Sequence, residues 1–158
     1  MDEDVFRNTY NTVNPNRCIF EKSITNRRCD CNLKRRFLIA SREGIACVSE
    51  DAVKRCTRVL DSMRNNARFS LKVVTVNGPM PHNKELQVQA GGMLALQKLA
   101  NPELDDVDTI NGEQATVDNI NHVMENALQQ FGSMEDLPYG EIVKSIVKYQ
   151  SRPKRRKK

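Results

Sequence analysis

Tryptophan is missing from this chain of 158 residues, and aromatic side chains of all kinds make up 5% of it. Its core must therefore be filled mainly by Leu, Ile, Val, Ala and Met. Long apolar runs are missing as well. Stretches such as Phe37-Leu38-Ile39-Ala40 fall far short of the roughly 20 residues that cross a bilayer, so no membrane span is expected. The chain opens on acidic Met1-Asp2-Glu3-Asp4 with no apolar stretch behind it, which sets the expectation of no secretory leader and a cytoplasmic setting. No Gly-rich phosphate loop, no G-x-S-x-G and no H-E-x-x-H is present, so hydrolase and nucleotide-binding classes have no motif to stand on. The two histidines, His82 and His122, have no Cys, Ser or carboxylate spaced to make a catalytic pair, and the balance falls against an enzyme. Asp105, Asp106 and Asp108 lack the ligand order of a calcium loop and read as a solvated connector.

Charge is present in quantity but is unevenly spread. Residues 1 to 72 hold 15 basic and 9 acidic side chains, residues 73 to 150 hold 4 and 11, and the last eight residues add 6 basic ones. A basic, acidic, basic layout speaks of partners rather than of fold. An anionic partner fits the first half; so does an arrangement in which the acidic second half or a second copy of the chain faces it.

The apolar pattern is mostly helical. Residues 1 to 17 are Asn-rich and without an apolar period, and read as a flexible arm. From Leu33, the residues Phe37, Ala40 and Ile45 recur at helix-compatible spacing, with Gly44 as the stop. Residues 50 to 65 carry the better signal: Ser49 is a good N-cap, Glu50 and Asp51 suit the first turn, and Val53, Cys56, Leu60 and Met63 share a face. Phe69, Leu71 and Val73 alternate into Val74-Thr75-Val76, which reads as a strand or hairpin over 69–76. Helices follow over 84–99, with an interior Gly91-Gly92, then from Val117 to Phe131 before Gly132, and from Tyr139 to Tyr149. The expected fold is a small, mainly α protein with a Cys-rich N-terminal half and a helical C-terminal part. It divides into an arm (1–17), a Cys-rich basic metal-binding unit (18–76), an acidic helical region (77–150) and a basic tail (151–158).

All five cysteines lie between Cys18 and Cys56, in the pattern C-x10-C-x-C-x15-C-x8-C. In a reducing compartment, clustered thiols call for a metal, a redox role or mere coincidence. Arg27, Arg28, Lys34, Arg35, Arg36 and Arg55 flank them, and cations of this kind stabilise thiolates, so low-pKa thiols are expected. The spacing matches neither the common zinc templates nor the standard ferredoxin runs. Soft, sulfur-only ligands suit an iron-sulfur cluster or zinc. The leading expectation is an iron-sulfur centre, of the 4Fe-4S kind, serving electron transfer, redox sensing or an accessory subunit. Its ligands would be four of Cys18, Cys29, Cys31, Cys47 and Cys56, with structural zinc as the alternative metal. Cys56 also fits as a small core residue, because it lies on the apolar stripe of its helix.

A second class of reading is a nucleic-acid-binding regulatory module, with or without a zinc ion that folds it, in which Arg27, Arg28, Lys34, Arg35, Arg36 and Arg42 contact phosphates and the basic tail adds affinity. Phe20 and Phe37 are the only aromatics among residues 17 to 58, and both suit a core better than a base-stacking platform. A third is a helical adaptor that docks its acidic half on a protein partner.

Overall fold

The computed structural model describes residues 3–73, 80–101, 109–110, 113–114 and 116–149. In chain order the elements are α1 (Glu3–Val13), α2 (Glu21–Thr25), β1 (Lys34–Ile39), β2 (Arg42–Cys47), α3 (Glu50–Ala67), α4 (His82–Ala100), β3 (Thr109–Ile110), β4 (Glu113–Gln114), α5 (Ile120–Phe131) and α6 (Tyr139–Lys148). The fold is mainly α, as expected. None of the described helices is long and apolar enough to cross a membrane.

Residues 3–17, expected as part of a flexible arm, are ordered against the hairpin instead. Glu3 to Val13 form a helix that buries none of its side chains, which is why no apolar period marks it. It is held instead by rings and polar bonds: Tyr10 stacks obliquely on Phe37 at 5.9 Å, and its hydroxyl bonds to the Glu21 carboxylate. Asn14, which follows the helix, is buried and donates to the Ile45 carbonyl at 3.1 Å. Glu21 in turn accepts the Ile45 amide at 2.8 Å. The Glu21 side chain thus satisfies the amide of a fully buried strand residue, and Asn14 shares its carbonyl with the backbone N–H of Cys18.

The helix expected from Leu33 is an antiparallel hairpin. β1 and β2 pair in register from Lys34 with Cys47 to Ile39 with Arg42, around a two-residue turn at Ala40 and Ser41. Both turn residues have positive φ, 48° and 71°, the twist that two-residue hairpins favour. Gly44 does not end a helix. It lies opposite Phe37, and a Cβ there would stand 2.4 Å from the ring, so the glycine lets Phe37 lie flat across the neighbouring strand.

α3 forms as its cap and charge pattern require. Ser49 accepts the Ala52 amide at 3.1 Å, and Ala52, Cys56, Val59, Leu60, Met63 and Ala67 form the buried stripe. Arg68 to Lys72 turn instead of entering the expected strand; Phe69 is 94% exposed while Leu71 is buried. The turn bonds Leu71 N–H to Ala67 O and Val73 N–H to Arg68 O take the backbone groups that a ladder would have used. The rest of that stretch, 74–76, lies outside the described residues, as do Asp105, Asp106, Asp108 and the basic tail.

α4 is the central helix, packed against α2, α3, α5 and α6. It is buried on most of its circumference, Glu85 and Gln89 included. Gly91 and Gly92 provide the close approach: a Cβ on Gly91 would meet Ile146 Cα and Tyr149 Cβ at 2.9 Å, and one on Gly92 would meet Met63 Sδ at 2.6 Å. α5 is capped by Asn119 and ends at Gly132 with φ 91°. Ile142 and Ile146 of α6 are fully buried. A single cluster of buried apolar residues runs from Phe20 and Ile45 through Leu60, Met63 and Met93 to Met124 and Ile146.

Candidate metal centre

Three separate stretches carry cysteines toward one end of the hairpin. Residues 16 to 18 run antiparallel to the end of β2: Arg17 bridges Ala46, Cys18 N–H donates to Ile45 O at 3.1 Å, and Cys47 N–H donates to Asn16 O at 2.9 Å. The Asn16 side chain also donates to the Cys47 carbonyl, at 2.6 Å. Side chains alternate along such a ribbon, so Cys18 and Cys47 project from the same face as diagonal neighbours. Cys31 precedes β1 by a short turn whose bond runs from Lys34 N–H to Cys31 O, and Lys34 is the register partner of Cys47. Cys56 comes from the second turn of α3, the helix that starts just after Cys47.

The electrostatics follow the same grouping. Burial pushes the Cys18 thiol up to about 12 against the lowering effect of a backbone hydrogen bond, and charge on Cys31, Cys56 and Cys47 adds to the rise. Cys56 is raised by burial first; Arg55 lowers it, and Cys31 and Cys47 raise it. Cys18, Cys31, Cys47 and Cys56 thus share one electrostatic neighbourhood. Cys29, two residues from Cys31, is acted on by Cys31 alone of the four. It is buried, bridges Val117, and is pushed up to about 12 by burial, with Ser23 as its hydrogen-bond partner and Asp30 and Cys31 as the charges that raise it. All five are free thiols.

The low-pKa thiols expected from the Arg-rich sequence are therefore not found at Cys18, Cys29 or Cys56. Sequence neighbours such as Arg27 and Arg36 direct their guanidinium groups at Glu43, at 3.3 and 3.1 Å, rather than at sulfur. Apolar burial of the thiols then dominates. Buried, protonated thiols are poor nucleophiles, which weighs against a thiol redox switch. Among the described residues no three Cys, His, Asp or Glu side chains already stand at ion-holding distances. The four thiols share a neighbourhood without being closed on a point.

Arg55 is the charged side chain that reaches into this neighbourhood. Its Nη2 lies 3.5 Å from Cys56 Sγ and donates to Asn121 Oδ1 at 2.9 Å, while its Nε is buried without a partner. Among the described residues no carboxylate pairs with it. A partly buried guanidinium without a countercharge is costly; thiolates on the neighbouring cysteines would supply one.

No protein-family model, curated protein or solved structure matches this chain.

The cations read as phosphate contacts are scattered around the hairpin and mostly engaged. Arg27 and Arg36 share Glu43, Lys34 pairs with Asp30, and Arg42 pairs with Glu3 at 3.1 Å while lying over the Phe6 ring. Arg35 lies over the Phe37 ring, and Arg28 lies close enough to Tyr149 to lower its pKa, which burial raises. Exposed pairs of this kind are weak, roughly 0 to 1 kcal/mol each, yet they leave the ribbon with far less free positive charge than its sequence advertises. His82 and His122 are both exposed, and His122 Nε2 is 3.1 Å from Asn126. Sequence reading named Arg55 only as one flanking cation among six. Its special position depends on Asn121, 66 residues away, which no local pattern connects to it.

Proposed function

We propose that this chain is a metal-stabilised binding module in which Cys18, Cys31, Cys47 and Cys56 hold one zinc ion. The observation that carries the reading is the four-plus-one division of the thiols: four from separate stretches share one neighbourhood, and the fifth, Cys29, is buried among Ser23 and Val117. Four is the ligand number of a closed, structural zinc site, in which no position is left for a catalytic water. Two of the four are same-face neighbours on paired stretches and a third sits in the helix that follows; loading would draw the four sulfurs onto one ion at the usual Zn–S distance of about 2.3 Å. The ion would tie residues 16–18, the hairpin and α3 together. It would also deprotonate the thiols and so provide the countercharge that Arg55 lacks.

The test is metal analysis of the chain isolated anaerobically, repeated for single Cys→Ala variants. One zinc per chain is expected, lost on changing Cys18, Cys31, Cys47 or Cys56 and retained in Cys29→Ala. A metal-free protein, or metal that disappears with Cys29 alone, overturns the assignment. Iron and sulfide in place of zinc, with visible charge-transfer absorption, would make the same four residues the ligands of an iron-sulfur cluster and the module an electron carrier or sensor.

A further inference from the structure

Beside Cys18 but not lined by it, α2, α3 and α4 enclose a cleft of about 680 Å³, whose lining includes Arg17, Lys22, Arg64 and Arg68 together with the apolar side chains of Ile19 and Met80. Three acids also reach it, and each is already engaged. Glu85 accepts from Arg64 and from Gln89, Asp61 accepts from Arg64 at 2.8 Å, and Glu21 pairs with Arg17 at 3.1 Å while accepting the Ile45 amide. Lys22 is the exception among the cations. Among the described residues no carboxylate lies within ion-pair distance of it.

We propose that this cleft binds a phosphomonoester, with Lys22 as the principal contact to the phosphate and Ile19 and Met80 walling its organic body. The lining sets four cations against three acids that are already paired, and the excess positive charge draws in a counter-ion. The volume lies within the roughly 300 to 1,000 Å³ usual for sites of small organic ligands, well beyond what a bare phosphate fills. Burial lowers the Lys22 pKa, Glu85 opposes the shift, and the charges of Arg17 and Arg64 add to it, so an anion bound there would favour the charged amine. A phosphomonoester has two natural sources, a free nucleotide or the 5′-phosphorylated end of a nucleic-acid strand.

Binding of adenosine 5′-monophosphate, and of a short single-stranded oligonucleotide with and without a 5′-phosphate, should be followed by calorimetry on the full chain at low salt. Either the nucleotide or the phosphorylated oligonucleotide should bind, with affinity at least tenfold weaker in Lys22→Gln, restored in Lys22→Arg and unchanged in Lys144→Gln, which lies on the exposed face of α6. The nucleotide alone identifies a free ligand, and the phosphorylated oligonucleotide alone identifies a strand end. No binding by any probe, equal binding of the oligonucleotide without its phosphate, or equal affinity in Lys22→Gln would overturn the proposal. Coincident thermal melts of the variants guard against misreading a folding defect as lost binding.

Discussion

Arg55 Nη2 lies 3.5 Å from Cys56 Sγ, and the same guanidinium keeps a buried Nε with no partner. A metal centre and a gathering of core cysteines give this guanidinium opposite surroundings. If thiolates form on metal loading, Arg55 is their countercharge; if the thiols stay protonated, it is a buried charge with nothing to balance it.

Arg55→Met, which keeps the length of the side chain and removes its charge, should therefore act oppositely on the two states. Zinc affinity, measured by competition with a chromogenic chelator, is expected to fall about 10- to 100-fold, the usual effect of losing a partner of a ligand. The metal-free chain should be no less stable to urea than the parent. Unchanged affinity together with a destabilised metal-free chain would mean that Arg55 only packs.

Glu85 supplies a prediction about pH. Burial alone would raise its pKa, but hydrogen bonds from Arg64 and Gln89 and the charge of Arg64 prevail, so it is lowered from the usual 4.5. A carboxyl with a depressed folded pKa contributes stability above its unfolded pKa and loses it as pH falls through the folded value. Unfolding free energy should thus be level near neutrality and decline below about pH 4.5, the decline being shallower in Glu85→Gln. At pH 7 that variant should lose about 1 to 3 kcal/mol, the usual worth of a hydrogen bond to a charged group, because Arg64 keeps only Asp61 as a countercharge. Urea titrations across pH check both parts.

The two glycines of α4 should differ in what they tolerate. A Cβ on Gly91 meets the Ile146 backbone at 2.9 Å, whereas on Gly92 its obstacle at 2.6 Å is the Met63 thioether. Backbone cannot yield without moving α6, but a Met side chain can turn aside. Gly91→Ala is expected to cost about 1 to 3 kcal/mol and Gly92→Ala less, as read by chemical denaturation.

Much of the C-terminal half was legible because its elements are governed by their own sequence. α3 has its cap, its acidic first turn and its buried stripe in one continuous stretch, and α5 and α6 each bury a face at helical spacing. The hairpin was not legible. Phe37, Ala40 and Ile45 are as compatible with a helix as with strands, and the turn is made by Ala40-Ser41, not by the Asn-Gly type that announces one. α1 escaped notice because it docks through Tyr10, just before Asn14, rather than through apolar burial. At the candidate site the five cysteines were evident, but their division was not: Cys29 and Cys31 are two residues apart, and the Cys29 bridge to Val117, 88 positions along, is what separates them. The cleft around Lys22 draws its cations from residues 17 to 68, a scatter with no spacing to recognise.

The turn that concealed the hairpin also offers a way to strengthen it. Ala40 and Ser41 both occupy the left-handed region, with φ of 48° and 71°, where an ordinary L-residue is strained by roughly 1 kcal/mol or more. Asn and Gly enter that region far more readily. Replacing the pair by Asn-Gly should raise stability by about 1 kcal/mol, seen as a higher urea midpoint at unchanged slope. Because β2 ends at Cys47, a firmer hairpin should also hold that thiol more tightly beside Cys18, so zinc affinity is expected to hold or rise. A gain in stability accompanied by loss of zinc would mean that the hairpin must open to bind metal, and the arrangement of Cys18 and Cys47 along the ribbon would then not be the metal-bound one.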